Sequence, residues 1–375
     1  MRSHEARSHG VLSSSGCPQI PWSTEVKKVL VASTYLPPTS GGAEHVAWEL
    51  AKRLARDFEV HIMTTGGGFE SPNIYLHYVR HLPLSHMWYS TVAKRKIKTI
   101  LDEVSPDLVH THIALPWGYV FRGVRSAKII TCHGSDVFPE KRNPYRFFLM
   151  EALTNANVRA TPSKWLAKHI EHAYGQTCIT IPNGVDTGIF KPLPSVQKSD
   201  NVVLFVGRFI ALKGISELVE AARALPKYQF WFVGNGGHRR YGASNQPIKI
   251  PRLPNVKIVG FIHDERALAI HYNQATICAF PSHRENFPLV GLEAMACGKT
   301  LVATRLGFLE YVENGREGLL VEPHDIKGLV ESIKYLMENR TEREEFEKNA
   351  RKKASLYDWE AVAKEYRALY EMVVS

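Results

Sequence analysis

The amino-acid sequence predicts an α/β protein built from two successive doubly wound domains that face each other across a cleft. A chain of 375 residues exceeds the usual size of one hydrophobic core and suits two domains. Short apolar runs alternate with helical patterns, as in parallel sheets that are covered on both faces. The alternation stops at residues 191–200, which have the composition of a linker, and then begins again.

In the first half, the apolar run Lys28–Ala32 predicts a buried strand. The helical pattern at residues 43–57 then places Val46, Leu50 and Leu54 on one face. Five more strands are expected at residues 60–64, 108–112, 128–131, 158–161 and 178–181. Helical patterns lie between several of these strands, which favours a parallel arrangement.

The second half repeats this alternation. Six strands are expected at residues 202–206, 230–233, 257–259, 277–280, 301–303 and 318–321. One helix is expected to begin near Ile215, and the chain is expected to end in another. We therefore predict a disordered polar leader at residues 1–25, a first domain at 26–190, a second domain at 200–357 and a C-terminal helix at 358–375.

Composition and cysteine usage narrow the class of protein. The hydrophobic fraction of 44% and the charged fraction of 22% are typical of a soluble globular protein. No apolar run approaches the roughly 18 residues that span a bilayer, and residues 1–25 lack the apolar core of a secretory signal. The five cysteines are scattered and form no C-x-x-C pair. This favours a reducing, cytoplasmic compartment and argues against a disulfide framework or a zinc site.

Positive charge is concentrated in one part of the chain. The net charge is +10, and residues 80–170 hold 14 Lys or Arg against 6 Asp or Glu, a local excess of +8. Such a basic region suggests an anionic partner, which would be membrane lipid, nucleic acid or a phosphorylated substrate.

Two glutamates eight positions apart carry most of the functional information. Glu285 follows a predicted strand, and Glu293 lies just inside the next predicted helix. Pro288 suits the first helical position, and the amides of Leu289 and Val290 would then point from the helix N-terminus towards an anion. One glutamate would contact a sugar and the other a ribose. The alternative is a helix whose first turn is acidic because its dipole favours negative charge.

Further residues around the pair point to a known family. Phe287, Leu289 and Gly298 accompany the two glutamates, with the run Glu-Ala-Met-Ala beginning at Glu293. Together they resemble the Glu-x7-Glu signature of the retaining GT-B glycosyltransferases of glycosyltransferase family 4. The resemblance covers about residues 27–372. It implies the GT-B fold, with two Rossmann-like domains and a C-terminal helix that crosses back onto the N-terminal domain.

The resemblance also implies roles for the residues of this segment. Glu285 would bind hydroxyls of the donor sugar, and Glu293 would bind the ribose. Phe287, Leu289 and Val290 would complete this side of the donor site. The family often has glycine where Pro288 stands, and proline removes one possible phosphate donor.

Arg208 and Lys213 follow the first strand of the second half and precede its first helix. Arginine binds two oxygens as a fork, and lysine adds a point charge, so the pair suits a diphosphate. Each charged hydrogen bond contributes roughly 1.5–3 kcal/mol. The arrangement resembles the Gly-Arg…Lys-Gly element of the family. Both cations would then stabilise the departing nucleoside diphosphate.

Two elements of the first half complete the predicted site. Gly41 and Gly42 end a loop and open the first helix, where a phosphate can approach the backbone closely. The resemblance places this loop on the donor diphosphate and beside the acceptor. His133 follows a predicted strand, at the edge where such sheets bind ligands. The resemblance implies that His133 faces the transferred sugar. A tight turn and a structural histidine are the respective alternatives.

Other motifs argue against a cofactor and a metal. The glycines at 234–237 do not complete G-x-G-x-x-G, so a dinucleotide cofactor is not expected. Phe261 and Ile262 resemble the segment that holds the donor base, although backbone contacts leave the base unspecified. His110 and His112 have the spacing of a metal pair without an evident third ligand, which favours packing over zinc. No Asp-x-Asp occurs, in agreement with a metal-independent GT-B mechanism.

The sequence therefore predicts a retaining hexosyltransferase that uses a nucleotide-diphosphate sugar. Its acceptor would be a glycan, a lipid-linked molecule or a small molecule, with no cofactor and no nucleic acid. The predicted catalytic residues are Arg208, Lys213, Glu285 and His133. Two alternatives remain: another GT-B enzyme, such as a nucleotide-sugar epimerase or a phosphorylase, or a non-catalytic module that binds nucleotide sugar or nucleic acid.

A peripheral association with anionic membrane is also predicted for the first domain. Basic residues lie beside aromatic ones at residues 87–98 and again at 141–150, as at a headgroup interface. Ile97, Ile100, Leu101 and Val104 continue a helical pattern in the first cluster. The alternative is a solvated charged face over an ordinary core.

Overall fold

The computed structural model describes residues 26–38, 41–79, 94–137, 145–236 and 247–375. Within these ranges the chain forms two parallel sheets, one of seven strands and one of six. The two doubly wound α/β domains are therefore confirmed. The predicted leader at residues 1–25 lies outside the described residues.

The first domain is built around a parallel sheet with the order β3-β2-β1-β4-β5-β6-β7. Its strands are β1 Lys28–Ala32, β2 Glu59–Thr64, β3 Ile74–Tyr78, β4 Leu108–Thr111, β5 Ala127–Thr131, β6 Val158–Thr161 and β7 Ile179–Thr180. The inner strand β4 is fully buried. Its first two residues, Leu108 and Val109, are apolar, whereas His110 and Thr111 are buried polar residues at its carboxyl end.

The strands at the two edges of this sheet differ from the prediction. Strand β3 was not predicted, because only Ile74 is buried while Tyr75 and Tyr78 are about half exposed. An edge strand with one residue in the core carries little of the apolar signal on which strand prediction depends. At the other edge, β7 keeps only two of the four predicted residues.

Within the described ranges, the α-helices of the first domain are α1 Gly42–Leu54, α2 Lys94–Val104, α3 Tyr145–Thr154 and α4 Lys164–Tyr174. Val46, Leu50 and Leu54 of α1 are buried as predicted. Ile97 and Ile100 of α2 are buried against the core around Trp117. The apolar face of α2 is thus ordinary core. The residues before Lys94, including the aromatic ones at 87–89, lie outside the described residues.

The second domain has a parallel sheet with the order β10-β9-β8-β11-β12-β13. Its strands are β8 Val202–Val206, β9 Gln229–Val233, β10 Val256–Gly260, β11 Ile277–Phe280, β12 Leu301–Thr304 and β13 Gly318–Val321. Its helices are α5 Ile215–Ala224, α6 Glu265–Gln274, α7 Leu289–Ala296, α8 Arg305–Phe308, α9 Ile326–Glu338 and α10 Arg340–Ala354. All six predicted strands are present within about one or two residues of their predicted ends.

The last helix, α11 Trp359–Val374, leaves the second domain and packs against the first. Trp359, Tyr366 and Tyr370 are buried together with residues of α1 and the first sheet. A Cβ at Gly184 would lie 2.5 Å from the Trp359 ring, so only glycine permits this approach of the interdomain segment. The C-terminal helix therefore joins the two domains.

Candidate functional site

The candidate site is centred on the loop 281–288, which leads from β11 to α7. Helix α7 starts at Leu289, and Pro288 precedes it in extended conformation, with φ −72° and ψ 123°. Pro288 is thus the N-cap residue, and its predicted place at the first helical position was wrong. No side chain among the described residues caps this end of α7. The first-turn amides, including those of Leu289 and Val290, are therefore positioned to bind an anion.

The N-terminus of α1 lies next to that of α7, across the cleft between the domains. A Cβ at Gly42 would come within 4.0 Å of Leu289 Cδ1. The Gly41 amide donates to Glu44 Oε2 over 3.2 Å. Burial raises the pKa of Glu44, and backbone hydrogen bonds and the positive charge of Arg208 oppose that rise. The positive charge of Arg208 in the second domain therefore lies close enough to the first turn of α1 to affect Glu44.

Lys213 and Glu285 are brought together by a close backbone approach. Lys213 ends the short turn Ala211–Lys213, and Gly214 follows with φ 68°. A Cβ at Gly214 would overlap the carbonyl of Pro281, so glycine lets this turn pack on the site loop. Lys213 Nζ and Glu285 Oε1 form an ion pair. In the described part of the chain, no hydrogen bond or ion pair holds the exposed guanidinium of Arg208.

Gly307 packs closely against Glu285, a contact that the sequence alone did not indicate. Its φ is +77°, and a Cβ there would lie 2.7 Å from Glu285 Cβ and 2.8 Å from the Glu285 carbonyl carbon. The conformation of the β12–β13 connection therefore sets the position of the Glu285 backbone.

Glu293 lies one helical turn inside α7 and keeps part of its surface exposed. Tyr272 Oη of α6 donates to Glu293 Oε2 over 2.8 Å. The surrounding protein removes most water from this carboxylate, and this burial raises the pKa of Glu293 to about 7. The carboxyl group therefore titrates near neutral pH and can accept further hydrogen bonds when it is ionised.

His133 lies at the carboxyl end of β5, in contact with the second domain. Its carbonyl accepts a hydrogen bond of 3.3 Å from Asn286 Nδ2, beside Glu285. Asp136 holds the loop, because its carboxylate accepts from the His133 and Gly134 amides at 3.1 and 3.0 Å. Burial lowers the pKa of His133 to about 4, so the imidazole is neutral at pH 7.

Behind His133, two further histidines lead into the core under α11. His112 stacks on His133 with ring centroids 5.5 Å apart, and His110 lies against His112 at 4.3 Å. The His110 nitrogens face Tyr370 Oη at 2.6 Å and Thr131 Oγ1 at 2.8 Å. Burial lowers the pKa of both His110 and His112. These contacts agree with the packing interpretation of the histidine pair, in which both rings have protein partners.

Three other residues were predicted to bind the donor substrate: Phe287, Phe261 and Ile262. They differ in how far they are buried. The side chain of Phe287 is 6% exposed and packs on Tyr311, with ring centroids 5.0 Å apart. A donor contact by the Phe287 side chain is therefore not supported, and only its backbone remains available. Phe261 is exposed and, with the half-buried Ile262, follows the carboxyl end of β10. The contact of Phe261 and Ile262 with a base stays a prediction.

Hydrogen bonds between the domains hold the edges of the cleft. Glu310 of the second domain accepts from the amides of Lys164 and Trp165 at 3.1 and 2.9 Å. Its carboxylate thus caps the N-terminus of α4 in the first domain. Asn183 Nδ2 donates to the Phe287 carbonyl over 3.0 Å. These contacts fix how the loop 281–288 faces the first domain.

The fold is similar to those of solved structures. Sucrose-phosphate synthase from Thermosynechococcus elongatus is similar with a TM-score of 0.80 and 23% identity, covering 92% of this chain and 98% of that one. Anabaena HepE, solved in complex with UDP and glucose, is similar with a TM-score of 0.75 and 22% identity, covering 92% and 99%. The two facing sheets and the cleft between them are those of the GT-B glycosyltransferases.

The sequence comparisons give the family. Residues 40–188 match the model of Glycosyltransferase Family 4, and residues 190–353 match that of Glycosyl transferases group 1. An uncharacterized glycosyltransferase of Methanocaldococcus jannaschii is 30% identical, covering 92% of this chain and 98% of its own. N-acetyl-alpha-D-glucosaminyl L-malate synthase of Bacillus anthracis is 24% identical, covering 89% and 94%. The chain belongs to glycosyltransferase family 4 and is a GT-B glycosyltransferase.

Proposed function

We propose that this glycosyltransferase moves a hexosyl group from a nucleotide-diphosphate sugar, with retention of anomeric configuration, to a glycan, lipid-linked or small-molecule acceptor. One observation carries the proposal. The ion pair of Lys213 with Glu285 lies in the same cleft as the facing N-termini of α1 and α7. Cations and helix N-termini suit a diphosphate, and the adjacent carboxylate suits sugar hydroxyls.

Each group has a role in this proposal. The backbone at Gly42 and Leu289 binds the diphosphate, with Arg208 and Lys213 supplying positive charge. As the bond from the anomeric carbon to the phosphate oxygen breaks, both cations stabilise the charge that collects on the leaving oxygen. They take the part that a bridging metal ion would otherwise have, so we expect no resident cofactor and no metal on the donor.

Retention is proposed to follow from attack on the face that the leaving group vacates. The departing phosphate oxygen accepts the proton of the acceptor hydroxyl, so no protein base is required on that face. Glu285, held by Lys213, binds hydroxyls of the transferred sugar. A neutral His133 adds no positive charge beside the sugar, where positive charge develops in the transition state. Its uncharged ring therefore suits a positioning role.

Nucleoside diphosphate release from a panel of nucleotide sugars tests this function. The assay uses the full chain with EDTA, and then with Mg²⁺ or Mn²⁺ restored, each with and without a lipid extract. We expect release with one donor class and an unchanged rate when Mg²⁺ or Mn²⁺ is added. Sugar interconversion without acceptor would indicate an epimerase, and a requirement for inorganic phosphate would indicate a phosphorylase. Absence of any turnover together with donor binding would indicate a binding module.

The two glutamates are expected to separate binding from chemistry. Glu293→Gln should raise the donor KM roughly 10-fold or more, because a ribose contact is shared by ground and transition states. Glu285→Gln should instead lower kcat by about 10²-fold, because its contact strengthens as charge develops. Steady-state kinetics of both variants with the accepted donor measure these effects. Equal changes of both parameters in both variants would contradict the assignment.

The pH dependence of donor binding gives an independent check on Glu293. Its pKa of about 7 means that the carboxylate is lost as pH falls through neutrality. Tyr272 already donates to this carboxylate, so ribose hydroxyls require the remaining acceptor capacity of the ionised form. The donor KM of the wild type is therefore expected to rise below about pH 7. The Glu293→Gln variant should lack this step.

We also propose that the first domain associates peripherally with an anionic membrane on the cytoplasmic side. No helix in the described ranges is long and apolar enough to cross a bilayer. The supporting observation is the exposed start of α3, where Tyr145 and Phe147 are 42% and 57% exposed on either side of Arg146. On α2, Arg95, Lys96 and Lys98 are also exposed.

Sedimentation with anionic vesicles checks this association. We expect binding at low salt that weakens at high salt, and weaker binding of a Phe147→Ser variant. The matched control is Phe69→Ser, which changes an aromatic residue that is 51% exposed away from α3. If the wild type does not sediment with anionic vesicles even at low salt, the membrane proposal is wrong and the transferase proposal stands.

A further inference from the structure

A second cluster of ligating side chains lies beside the donor site. Glu217 comes from the first turn of α5, His283 from the loop 281–288, and His324 from the segment that precedes α9. His283 Nε2 is 2.7 Å from Glu217 Oε1, and His324 Nδ1 is 3.1 Å from the same oxygen. The two rings are 3.9 Å apart at their centroids. One candidate ligand atom from each residue lies within 4.8 Å of the other two.

The carboxylate of Glu217 lies at the centre of this cluster, and one of its two oxygens has no hydrogen-bond partner among the described residues. Glu217 is only 8% exposed. Both histidines face Oε1, whereas Oε2 is buried and has no hydrogen-bond partner among the described residues. A buried carboxylate oxygen without a donor is costly, and buried charges are normally paired or coordinate a metal. This orphaned oxygen therefore points to a cation at the cluster.

His324 leaves the cluster open to solvent. Its side chain is 67% exposed, against 10% for that of Glu217. The backbone of His324 has φ 66°, a conformation that favours glycine and that a histidine adopts at a cost. The ring nevertheless turns towards the buried Glu217 instead of into water. An ion could thus enter from the His324 side and keep water in its remaining coordination positions.

We propose that Glu217, His283 and His324 bind a divalent transition-metal ion of the zinc class. Two imidazole nitrogens and one carboxylate oxygen are the protein ligands of open zinc sites, whereas Mg²⁺ and Ca²⁺ prefer oxygen alone. Metal–nitrogen bonds of about 2.0–2.1 Å separate tetrahedral ligand atoms by roughly 3.3 Å. The facing atoms, which are 2.7 and 3.1 Å apart, would need to spread by about 0.6 and 0.2 Å.

The ion would link three segments of the second domain: α5, the loop 281–288 and the segment that precedes α9. The His283 amide already donates to the Leu212 carbonyl over 2.8 Å, next to Lys213. A metal bridge from His283 to α5 and to the start of α9 would fasten the loop that carries Glu285. The site is distinct from the proposed donor diphosphate site, because neither Arg208 nor Lys213 belongs to it. Its existence does not depend on transfer activity.

Zinc titration of the full chain tests the proposal. The protein is first treated with a chelator, which is then removed, and Zn²⁺ binding is followed by calorimetry and by thermal unfolding. We expect one ion per chain and a Tm higher by about 5–10 °C at Zn²⁺ a hundredfold above the dissociation constant. Co²⁺ at the same site should give visible absorption bands of a nitrogen- and oxygen-ligated ion.

Two variants distinguish this site from adventitious binding. His324→Gly should be at least as stable as the wild type without metal, because glycine suits φ 66°, yet it should lose the zinc-dependent rise in Tm. Glu217→Gln keeps the shape of the side chain and should weaken zinc binding at least about 10-fold. The control is His172→Gln, which removes an exposed histidine of α4. Zinc binding that is absent in the wild type, or equal in all four proteins, would overturn the proposal.

Discussion

Arg208→Ala is expected to lower kcat by about 10²–10³-fold while the protein stays folded, and Lys213→Ala should do the same. Both residues would neutralise charge on the departing diphosphate, which is greater in the transition state than in the bound donor. Arg208 is exposed and is held by no ion pair or hydrogen bond in the described part of the chain, so its removal leaves no buried partner unsatisfied. Steady-state kinetics, with circular dichroism to monitor folding, measure the effect.

A matched control shows whether position or general charge matters. Arg223→Ala removes a half-exposed arginine of α5 in the same domain, whose nearest acid is Glu220 at 3.4 Å. Such a surface pair contributes little, so kcat and Tm should stay near those of the wild type. If Arg208→Ala and Lys213→Ala retain wild-type rates, or if Arg223→Ala loses as much, the assignment of the two cations is wrong.

Gly307→Ala is expected to lower kcat by roughly 10²-fold through a displacement of the site loop. A Cβ at this position would lie 2.7 Å from Glu285 Cβ and 3.0 Å from the Asn286 amide nitrogen. These neighbours are close to the main chain, so the loop must move as a unit. Asn286 also binds the carbonyl of His133, and the displacement therefore reaches both sides of the cleft.

Gly315→Ala is the control for this prediction. Gly315 has φ +79°, almost the same as the +77° of Gly307, but a Cβ there has no heavy atom within 4 Å. Gly315→Ala should lose about 1–2 kcal/mol of unfolding free energy, because alanine is strained at positive φ, and Gly307→Ala should lose more because its Cβ also overlaps the site loop. Only Gly307→Ala should lose activity. Equal kinetics of the two variants would show that Gly307 does not position Glu285.

The sequence predicted the elements that are buried on both faces and did less well at the edges. Strands such as β8 and β11 are continuous apolar runs because both sides of a parallel sheet are covered. Strand β3 was missed because it places only Ile74 in the core. The start of α7 was displaced by one residue, because proline is compatible with either the N-cap or the first turn.

Residues that belong to recognisable motifs could be anticipated, whereas supporting residues outside those motifs could not. Lys213 and Glu285 were expected on the same ligand, and the structure brings them into contact. Nothing in the local sequence indicates that Gly307 lies behind Glu285, or that Tyr272 binds Glu293. These contacts arise only when separate strands and helices assemble. For Phe287 the motif was misleading. Its place beside the glutamates predicted a contact with the donor substrate, but its ring is buried in the hydrophobic core.

The anomeric configuration of the first-formed product tests the central claim most directly. The full chain is incubated with the nucleotide sugar that the panel identifies, and the product is followed by proton NMR from the earliest times. The proposed same-face attack predicts that an α-linked donor gives an α-linked product, at a rate that falls with Arg208→Ala. An inverted, β-linked product formed first would contradict the account.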